Sequence, residues 1–565
     1  MTVTTLRELL ENSVAAFPER PALGLVGDGG CTYRELGEQV KALQKALASR
    51  GVQAGDHVAL LSENRPNWGV VYLAVTGMGA VIVPILPDFS PAEIAQILDH
   101  AGVSVLCASR GLYPKVAEYT DARLLLVDDL QFIKPGTPAE GLPPHGPPSG
   151  VATGLLGRKT SSATAEAVPA ENDLAAILYT SGTTGEPKGV MLTHRNLVQN
   201  ALAARVLAGL GPEDRLVSIL PLAHAYECTI GFLIPVSTGS SVLYLGKPPT
   251  LSVLLPALEE VKPTVMLSVP LIMEKIYQSR VAPVFNGNVV TRAVGRIGPL
   301  RRIVHRAAGK KVYQTFGGKL RFFGIGGAPL SPQAERFLRE ARFPYAIGYG
   351  LTETSPLVAG TGAADTRSRS TGPPIAGVEV RIDHESGDGV NGEIQVRGAN
   401  VMQGYYRNEE ATRQVFTDDG WFKTGDLGAF DKDGYLYIRG RLKNMILGPS
   451  GENIYPEDIE SAINQNELVV ESLVFQWKGQ LVARVHVNID RLREHSGIGE
   501  ENVAAIQKRA DEILDGLRSQ VNARLGRFAR LSRMILEWEP FEKTPTQKIK
   551  RFLYTHLGQQ KNKRT

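Results

Sequence analysis

At 565 residues the chain exceeds the size at which a single hydrophobic core goes on growing, so at least two domains are expected. Hydrophobic residues make up 43% and charged residues 21%, which excludes collagen-like, wholly disordered and coiled-coil chains. Lys and Arg number 62 against 58 Asp and Glu, and the resulting net charge of +4 is too weak a field over this length for a nucleic-acid binder.

The N-terminal stretch MTVTTLRELLENSVAAF lacks a continuous apolar segment, and no apolar run reaches the ~20 residues that cross a bilayer. A cytoplasmic protein, at most peripheral to a membrane, is expected. Thr32 and Glu35 stand at capping-box spacing and open a helix with Leu36, Val40, Leu43 and Leu47 on one face, stopped by Gly51. Strands are predicted over 57–61 and 80–85. Ser90, Pro91 and Glu93 start a helix that turns Ile94, Ile97 and Leu98 inward before Gly102, and 103–107 returns as a strand. This alternation predicts a layered α/β fold with a largely parallel sheet. Residues 134–172 shift to Pro, Gly, Ala, Ser and Thr and read as a flexible surface insertion. Alternation resumes at Leu174 and is expected to persist to about Tyr437, with strands over 215–220, 264–269 and 320–325. Short strands at 472–477, 481–487 and 534–537, with helices near 456–463 and 503–525, then predict a small mobile α+β domain, 441–565, beside a large domain, 1–440. Cys31, Cys107 and Cys228 lie far apart, which indicates neither a disulfide framework nor a zinc site and fits a reducing compartment.

The segment Tyr179-Thr-Ser-Gly-Thr-Thr-Gly-Glu-Pro-Lys-Gly189 follows an apolar strand over 174–178. Thr180, Ser181, Gly182, Thr183, Thr184 and Gly185 let backbone N–H groups and hydroxyls surround phosphate oxygens, and Lys188 adds a cation. A P-loop is excluded, because Lys188 follows Pro187 and precedes Gly189 where G-x-x-x-x-G-K-[ST] is required. Later come Tyr349-Gly-Leu-Thr-Glu-Thr354, Thr424-Gly-Asp-Leu427, Gly440-Arg-Leu-Lys443 and Lys543-Thr-Pro-Thr-Gln-Lys-Ile549. In this order, and over nearly the whole chain, the set resembles the signatures of the adenylate-forming superfamily, and among its members the AMP-forming acyl-CoA synthetases.

That resemblance implies ATP, Mg2+ and CoA as co-substrates and cofactor, a carboxylic acid as second substrate, and two half-reactions joined by an acyl-adenylate. It places Tyr349 and Gly350 at the nucleotide, where an aromatic face can stack adenine, with the Thr352 hydroxyl at the α-phosphate. Glu353 and Thr184 become magnesium ligands, a role for hard oxygen donors. Gly327 and Ala328, after Gly326, resemble the segment between adenine and acyl pocket. Asp426 resembles the carboxylate that accepts the ribose hydroxyls, and Arg441 adds a cation beside it. Lys548 is similar to the family's C-terminal lysine, which serves adenylation through charge. Gln547 stands where many relatives have glycine. Lys443 resembles the hinge about which the small domain turns between half-reactions. Gly448, Gly451, Glu452 and Asn453 belong to a loop that resembles the CoA-side loop of the second state, one residue longer and carrying Pro449. His224, in Pro221-Leu-Ala-His-Ala-Tyr-Glu227, resembles the ring that opens or closes the acyl tunnel.

Residues 263–277 and the insertion after them are most similar to the long-chain fatty acid branch. Arg292, Arg296, Arg301, Arg302, Arg306, Lys310 and Lys311 alternate with Ala293, Val294, Ile297, Leu300, Ile303 and Val304. Such a segment either docks on anionic lipid or forms a solvated helix face. Two other readings stay open at this point: an acyl-AMP ligase that loads a separate carrier protein, and a non-catalytic lipid-binding protein of the same fold. Thr184, Glu353, Asp426 and Lys548, all present, weigh against the last.

Overall fold

The computed structural model describes residues 3–119, 121–134, 136–143, 168–181, 187–286, 297–386, 391–448, 453–466, 468–496, 503–544 and 548–555. The chain divides into two compact units: Met1–Gly182, Glu186–Val380 and Val396–Phe422 form one, and Thr183–Gly185, Arg381–Gln395 and Lys423–Thr565 form the other.

Two sheets carry the first unit. In the seven-stranded one the order is Tyr345–Ile347, Phe322–Ile325, Val265–Ser268, Arg215–Ser218, Ser241–Tyr244, Pro21–Leu25, Gly29–Thr32, with every pair parallel except the last. The eight-stranded one runs Gly404–Tyr405, Pro187–Thr193, Leu174–Ser181, Val81–Ile85, His57–Leu61, Val105–Ala108, Arg123–Leu126, Gln131–Ile133. It is parallel through the centre and antiparallel at both edges. Crossover connections, most of them helical, join consecutive parallel strands, as parallel pairing demands. Thr32 caps the helix Tyr33–Ala48 with a complete capping box, and Ser90 does the same for Pro91–Ala101, which Gly102 closes in a left-handed conformation. These caps satisfy donors that a helix start leaves open.

The helix Pro66–Gly77 packs against strands of both sheets and is buried from Trp68 to Gly77. A helix that is apolar all round needs apolar walls on every side. Trp68 stacks on Tyr72 with ring centroids 5.2 Å apart, and the Phe232 ring meets both edge-on. Gly69 makes the close approach feasible, since a Cβ there would lie 2.8 Å from both Leu23 and Phe232.

The helix–strand alternation expected to persist to Tyr437 ends sooner. Val378–Asp383, Gly392–Gly398, Phe422–Phe430 and Leu436–Arg441 form a four-stranded sheet, and among its described residues and connections one α-helix, Glu409–Val415, intervenes. Phe422–Phe430 and Leu436–Arg441 are antiparallel and joined by a tight turn, so no crossover helix is needed.

In the second unit Val469–Trp477, Gln480–Val487 and Leu531–Glu537 make a three-stranded sheet, the first pair antiparallel and the second parallel. The helices Pro456–Ile463 and Val503–Asn522 contribute Ile459, Ile463, Ile506, Leu514 and Leu517 to a core with it. Burial pushes the Glu460 carboxyl up, and Arg551 answers with a two-pronged contact at 2.8 and 3.1 Å while the Val474 N–H donates at 2.7 Å. No helix among the described residues is long and apolar enough to cross a membrane.

Asp214 ties together the seven-stranded sheet. It accepts from Arg321 Nε at 2.7 Å, the Thr264 hydroxyl at 2.6 Å and the Gly211 N–H at 2.8 Å. Burial alone would raise its pKa, but these donors outweigh burial and hold it below the usual 3.8. A carboxylate held low stabilises the fold above its unfolded pKa, and that stability is lost as pH falls through the folded value. Asp214→Ala is expected to cost about 2 kcal/mol near neutral pH, less than a fully buried pair because Arg321 is partly in solvent. Urea denaturation should show the gap to wild type shrinking as the pH drops below about 4.

Candidate active site

The Gly/Thr segment falls between two strands that pair with each other. Leu174–Ser181 runs beyond the apolar stretch at 174–178 and pairs antiparallel with Pro187–Thr193, setting Thr180 opposite Lys188 and Tyr179 opposite Gly189. Gly182, Thr183, Thr184, Gly185 and the side chain of Ser181 lie outside the described residues. A Cβ on Gly189 would lie 2.8 Å from Ile177, so the strand has no room for a side chain there. Tyr179 anchors the hairpin base through a hydrogen bond between its hydroxyl and His100 Nδ1 at 2.7 Å, and burial pushes its phenol pKa up.

Gly404–Tyr405 extends the hairpin as a further antiparallel strand with Tyr405 opposite Val190, and the Tyr406 N–H donates to the Gly189 carbonyl at 2.7 Å. The Tyr405 hydroxyl donates to Glu353 Oε1 at 2.9 Å, and its ring centroid lies 5.0 Å from Lys188 Nζ. The structure therefore brings Lys188 and Glu353 to the same aromatic side chain. Sequence reasoning missed Tyr405, because a two-residue strand is too short for periodicity to register.

Glu353 and Thr352 project from a tightly held turn. Tyr349–Gly350 pairs antiparallel with Leu357–Ala359, and Thr352–Thr354 form a 3-10 turn between them. Gly350 is obligatory, since a Cβ would lie 1.8 Å from the Pro356 carbonyl oxygen. The Leu351 N–H donates to the Thr354 hydroxyl at 3.0 Å, which donates in turn to the Pro356 carbonyl at 2.6 Å. Two buried asparagines complete the frame. Asn200 donates to the Leu357 carbonyl at 2.7 Å and accepts its N–H at 3.1 Å, while Asn400 donates to the carbonyls of Thr354 and Leu357 at 3.0 and 3.1 Å. Neither was a sequence candidate, because an asparagine in a helix or loop looks like an ordinary cap.

Gly326, buried, follows the strand Phe322–Ile325, while Gly327 and Ala328 are exposed and Gly327 takes a φ of +89°, which favours glycine. The ring packed on this backbone is Tyr226: a Cβ on Gly324 would lie 3.0 Å from its hydroxyl and one on Gly326 3.2 Å from its ring. His224 precedes the π-helix Glu227–Leu233, and its Nδ1 accepts the Tyr226 N–H at 3.3 Å, which places the proton of a neutral ring on Nε2.

In the second unit Asp426 and Arg441 face each other on neighbouring strands, with Arg441 Nε 2.7 Å from the buried Asp426 Oδ1. Lys443 is exposed in the 3-10 turn Leu442–Asn444, and Asn444 donates to Glu457 at 2.7 Å. Gly448 follows Ile446–Leu447, which pairs with Asn453–Ile454 so that Leu447 lies opposite Asn453; Gly451 and Glu452 lie outside the described residues. Lys548 is exposed and bonded to Thr544 in both directions, its N–H donating to the Thr544 hydroxyl at 3.2 Å and its carbonyl accepting the Thr544 N–H at 2.8 Å.

A carboxylate oriented by a hydroxyl donor suits magnesium, which keeps its waters and shares phosphate oxygens with one or two carboxylates, and a lysine on the same aromatic ring suits the phosphates themselves. Glu353 fits that description. A family model described as AMP-binding enzyme matches residues 10–406. The chain belongs to the AMP-binding enzyme family. It is 35% identical over 475 residues to a long-chain-fatty-acid–CoA ligase of Mycobacterium bovis, covering 78% of this chain and 74% of that one. It is 31% identical over 602 residues to the peroxisomal long chain acyl-CoA synthetase 7 of Arabidopsis thaliana, covering 97% and 84%. Among solved structures, ATP-bound MatB from Rhodopseudomonas palustris matches with a TM-score of 0.73 at 26% identity, covering 98% of both chains.

In this AMP-binding enzyme Tyr405→Phe removes a hydrogen bond to a charged group, an interaction of about 1.5–3 kcal/mol. The expected result is a rise of roughly tenfold or more in the KM for Mg-ATP with little change in melting temperature. Pyrophosphate exchange followed across a magnesium titration checks it.

Proposed function

We propose that this AMP-forming acid:CoA ligase, which uses ATP with Mg2+ and CoA as co-substrate, takes a long-chain fatty acid as its acid. The observation that carries this reading is the likeness to a long chain acyl-CoA synthetase over 97% of the chain. The grouping of Lys188, Tyr405 and Glu353 supports the nucleotide half.

In the first half-reaction a carboxylate oxygen of the acid attacks the α-phosphorus of ATP, the bond to the β-phosphate breaks, and pyrophosphate departs with its electron pair. Lys188, the Thr352 hydroxyl, the Gly/Thr segment from Thr180 to Gly185 and Lys548 stabilise charge on the reacting phosphates. Glu353 and Thr184 would hold magnesium, which when bound neutralises charge on the departing pyrophosphate. Tyr349 stacks the adenine beside Gly350, Gly327 and Ala328 leave room for it, and Asp426, oriented by Arg441, accepts the ribose hydroxyls. In the second half-reaction the CoA sulfur attacks the acyl carbonyl carbon, the bond to AMP breaks, and the thiol proton is released. Lys443 serves as the hinge of a small domain, 441–565, and Gly448, Gly451, Glu452 and Asn453 as its CoA-side loop. His224 borders the acid's carboxylate, with the apolar stretch 229–236 beyond it.

Lys548→Ala is expected to slow acid-dependent pyrophosphate exchange roughly a hundredfold while sparing thioester formation from supplied acyl-AMP. Equal loss of both half-reactions would sink that role. With Mg-ATP, CoA and saturated acids from acetate to stearate, the acyl-CoA product should peak among long chains. A short-chain optimum overturns the assignment of the acid, and acyl-AMP without acyl-CoA moves the acceptor to a carrier protein.

The proposed setting is cytoplasmic, with peripheral membrane contact through the helix Gly298–Thr315. This helix buries His305, Gly309 and Val312, and Arg301 turns inward to pair with Glu340 at 2.7 Å, leaving the basic face on which its sequence pattern put it. Leu300 and Ile303 are exposed, the latter by 63%, beside exposed Arg302, Arg306, Lys310 and Lys311. Arg292, Ala293, Val294 and Arg296 lie outside the described residues. Apolar side chains ringed by cations suit anionic lipid, where a long-chain acid partitions. Ile303→Glu should lower co-sedimentation with phosphatidylserine-containing vesicles several-fold and leave turnover of a water-soluble acid unchanged. Equal sedimentation of variant and wild type, or equal binding to neutral phosphatidylcholine vesicles, overturns the contact.

A further inference from the structure

The segment between Ser218 and Glu227, which carries His224, is closed on itself by side chains. Ser218 ends the strand Arg215–Ser218, Glu227 opens the π-helix Glu227–Leu233, and the Ser218 hydroxyl donates to Glu227 Oε1 at 2.6 Å. Asn64 reaches the same segment from the loop after the strand His57–Leu61 in the other sheet. Its Nδ2 donates to the Ser218 hydroxyl at 2.9 Å and the Leu220 carbonyl at 2.6 Å, and its Oδ1 accepts the Leu222 N–H at 2.9 Å. One asparagine thus holds three points of the loop, and one serine joins it to Glu227.

Glu227 sits in unusual surroundings for an acid. It is 2% exposed, its Oε2 has no partner among the described residues, and a Cβ on Gly231 would lie 2.7 Å from its carboxyl carbon. Among the described residues the groups facing it are Ser218 and Tyr244 from the seven-stranded sheet and Tyr226 and Cys228 on its own segment, and none of these is a cation. Burial without a counter-charge pushes the carboxyl up to about 8, against the ordinary 4.5. An ionised Glu227 would be a buried charge with one described donor, which the interior tolerates poorly. Short π-helical turns of this kind are frequent at functional sites.

We propose that Asn64, Ser218 and Glu227 form a clamp that positions the His224 loop for the acid, with Glu227 working as a neutral carboxylic acid. The clamp rests on the reading that His224 borders the acid. Between about 4.5 and about 8 the folded protein binds a proton here that the unfolded chain has released, so this group's contribution to stability falls as pH rises through that window.

The test measures KM for the acid and for ATP in pyrophosphate exchange, from about pH 6 to 9.5, a range that brackets the Glu227 value. The acid is the one wild type turns over fastest. Asn64→Ala and Ser218→Ala are expected to raise the acid KM roughly tenfold with the ATP KM within about twofold. Glu227→Gln keeps a neutral hydrogen-bonding group and should stay within about threefold of wild type near pH 7 while losing less activity at alkaline pH. Glu227→Ala should resemble Ser218→Ala, and the two combined should do no more than either alone, as members of one network do. Unchanged acid KM in Asn64→Ala and Ser218→Ala, Glu227→Gln as impaired as Glu227→Ala, or an alkaline limb that Glu227→Gln does not alter would each overturn the clamp. If the alanine variants do not fold, the pH profile of the near-isosteric Glu227→Gln decides. A short-chain optimum in wild type would remove the fatty acid reading and leave this one standing, because the acid is chosen by turnover.

Discussion

A buried peptide group has to find a hydrogen-bond partner, and the turn between Leu351 and Leu357 is where that requirement shapes the molecule most. No regular sheet or helix can supply partners to so tight a reversal, so Asn200 from the helix His194–Ala208 and Asn400 from beyond Gly392–Gly398 supply them instead. Held from two directions, the turn presents Thr352 and Glu353 from a backbone with little freedom. Gly350 expresses the same constraint sterically, with a carbonyl oxygen where a side chain would have to be. Preorganisation of this kind allows a carboxylate to receive a cation without first being ordered.

The rest of the first unit extends that logic outward. The two sheets and the helix between them are apolar and closely packed, so polar chemistry is left to the loops at their ends. Tyr405 reaches the Glu353 turn because a two-residue strand happens to continue an edge, and its neighbour Tyr406 is pinned by the Gly189 carbonyl. Asn64 plays the corresponding part for the loop before Glu227, linking a loop of one sheet to a strand of the other. In each case one side chain with several hydrogen-bonding positions substitutes for missing secondary structure.

Much of this architecture could be read from residues alone, for reasons that are local. Capping boxes at Thr32 and Ser90, glycine at 102, the apolar run at 57–61 and the helical spacing at 456–463 announce elements whose bounds the structure repeats closely. The antiparallel stretch from Val378 to Arg441 was misjudged because its outer strands, Val378–Asp383 and Leu436–Arg441, are half-exposed and carry a weak pattern. Site residues that belong to contiguous motifs, such as Lys188, Glu353 and Asp426, were legible as candidates. Tyr405, Asn200, Asn400, Asn64 and Tyr226 were not, since each acts on a partner far along the chain. Arg301 shows the converse: a charge that its own helix pattern assigns to solvent is claimed by Glu340, which only tertiary packing brings near.

The pairing of Arg551 with Glu460 bears on what becomes of damaged molecules. Arg551 lies three positions after Lys548, so trimming by a carboxypeptidase, or a premature stop codon that removes the lysine, removes this arginine as well. Glu460 would then remain among Ile459, Ile463 and Val474 with its guanidinium gone. A chain shortened in this way would lose folding integrity, which exposes it to cellular proteolysis instead of letting a foreshortened copy persist.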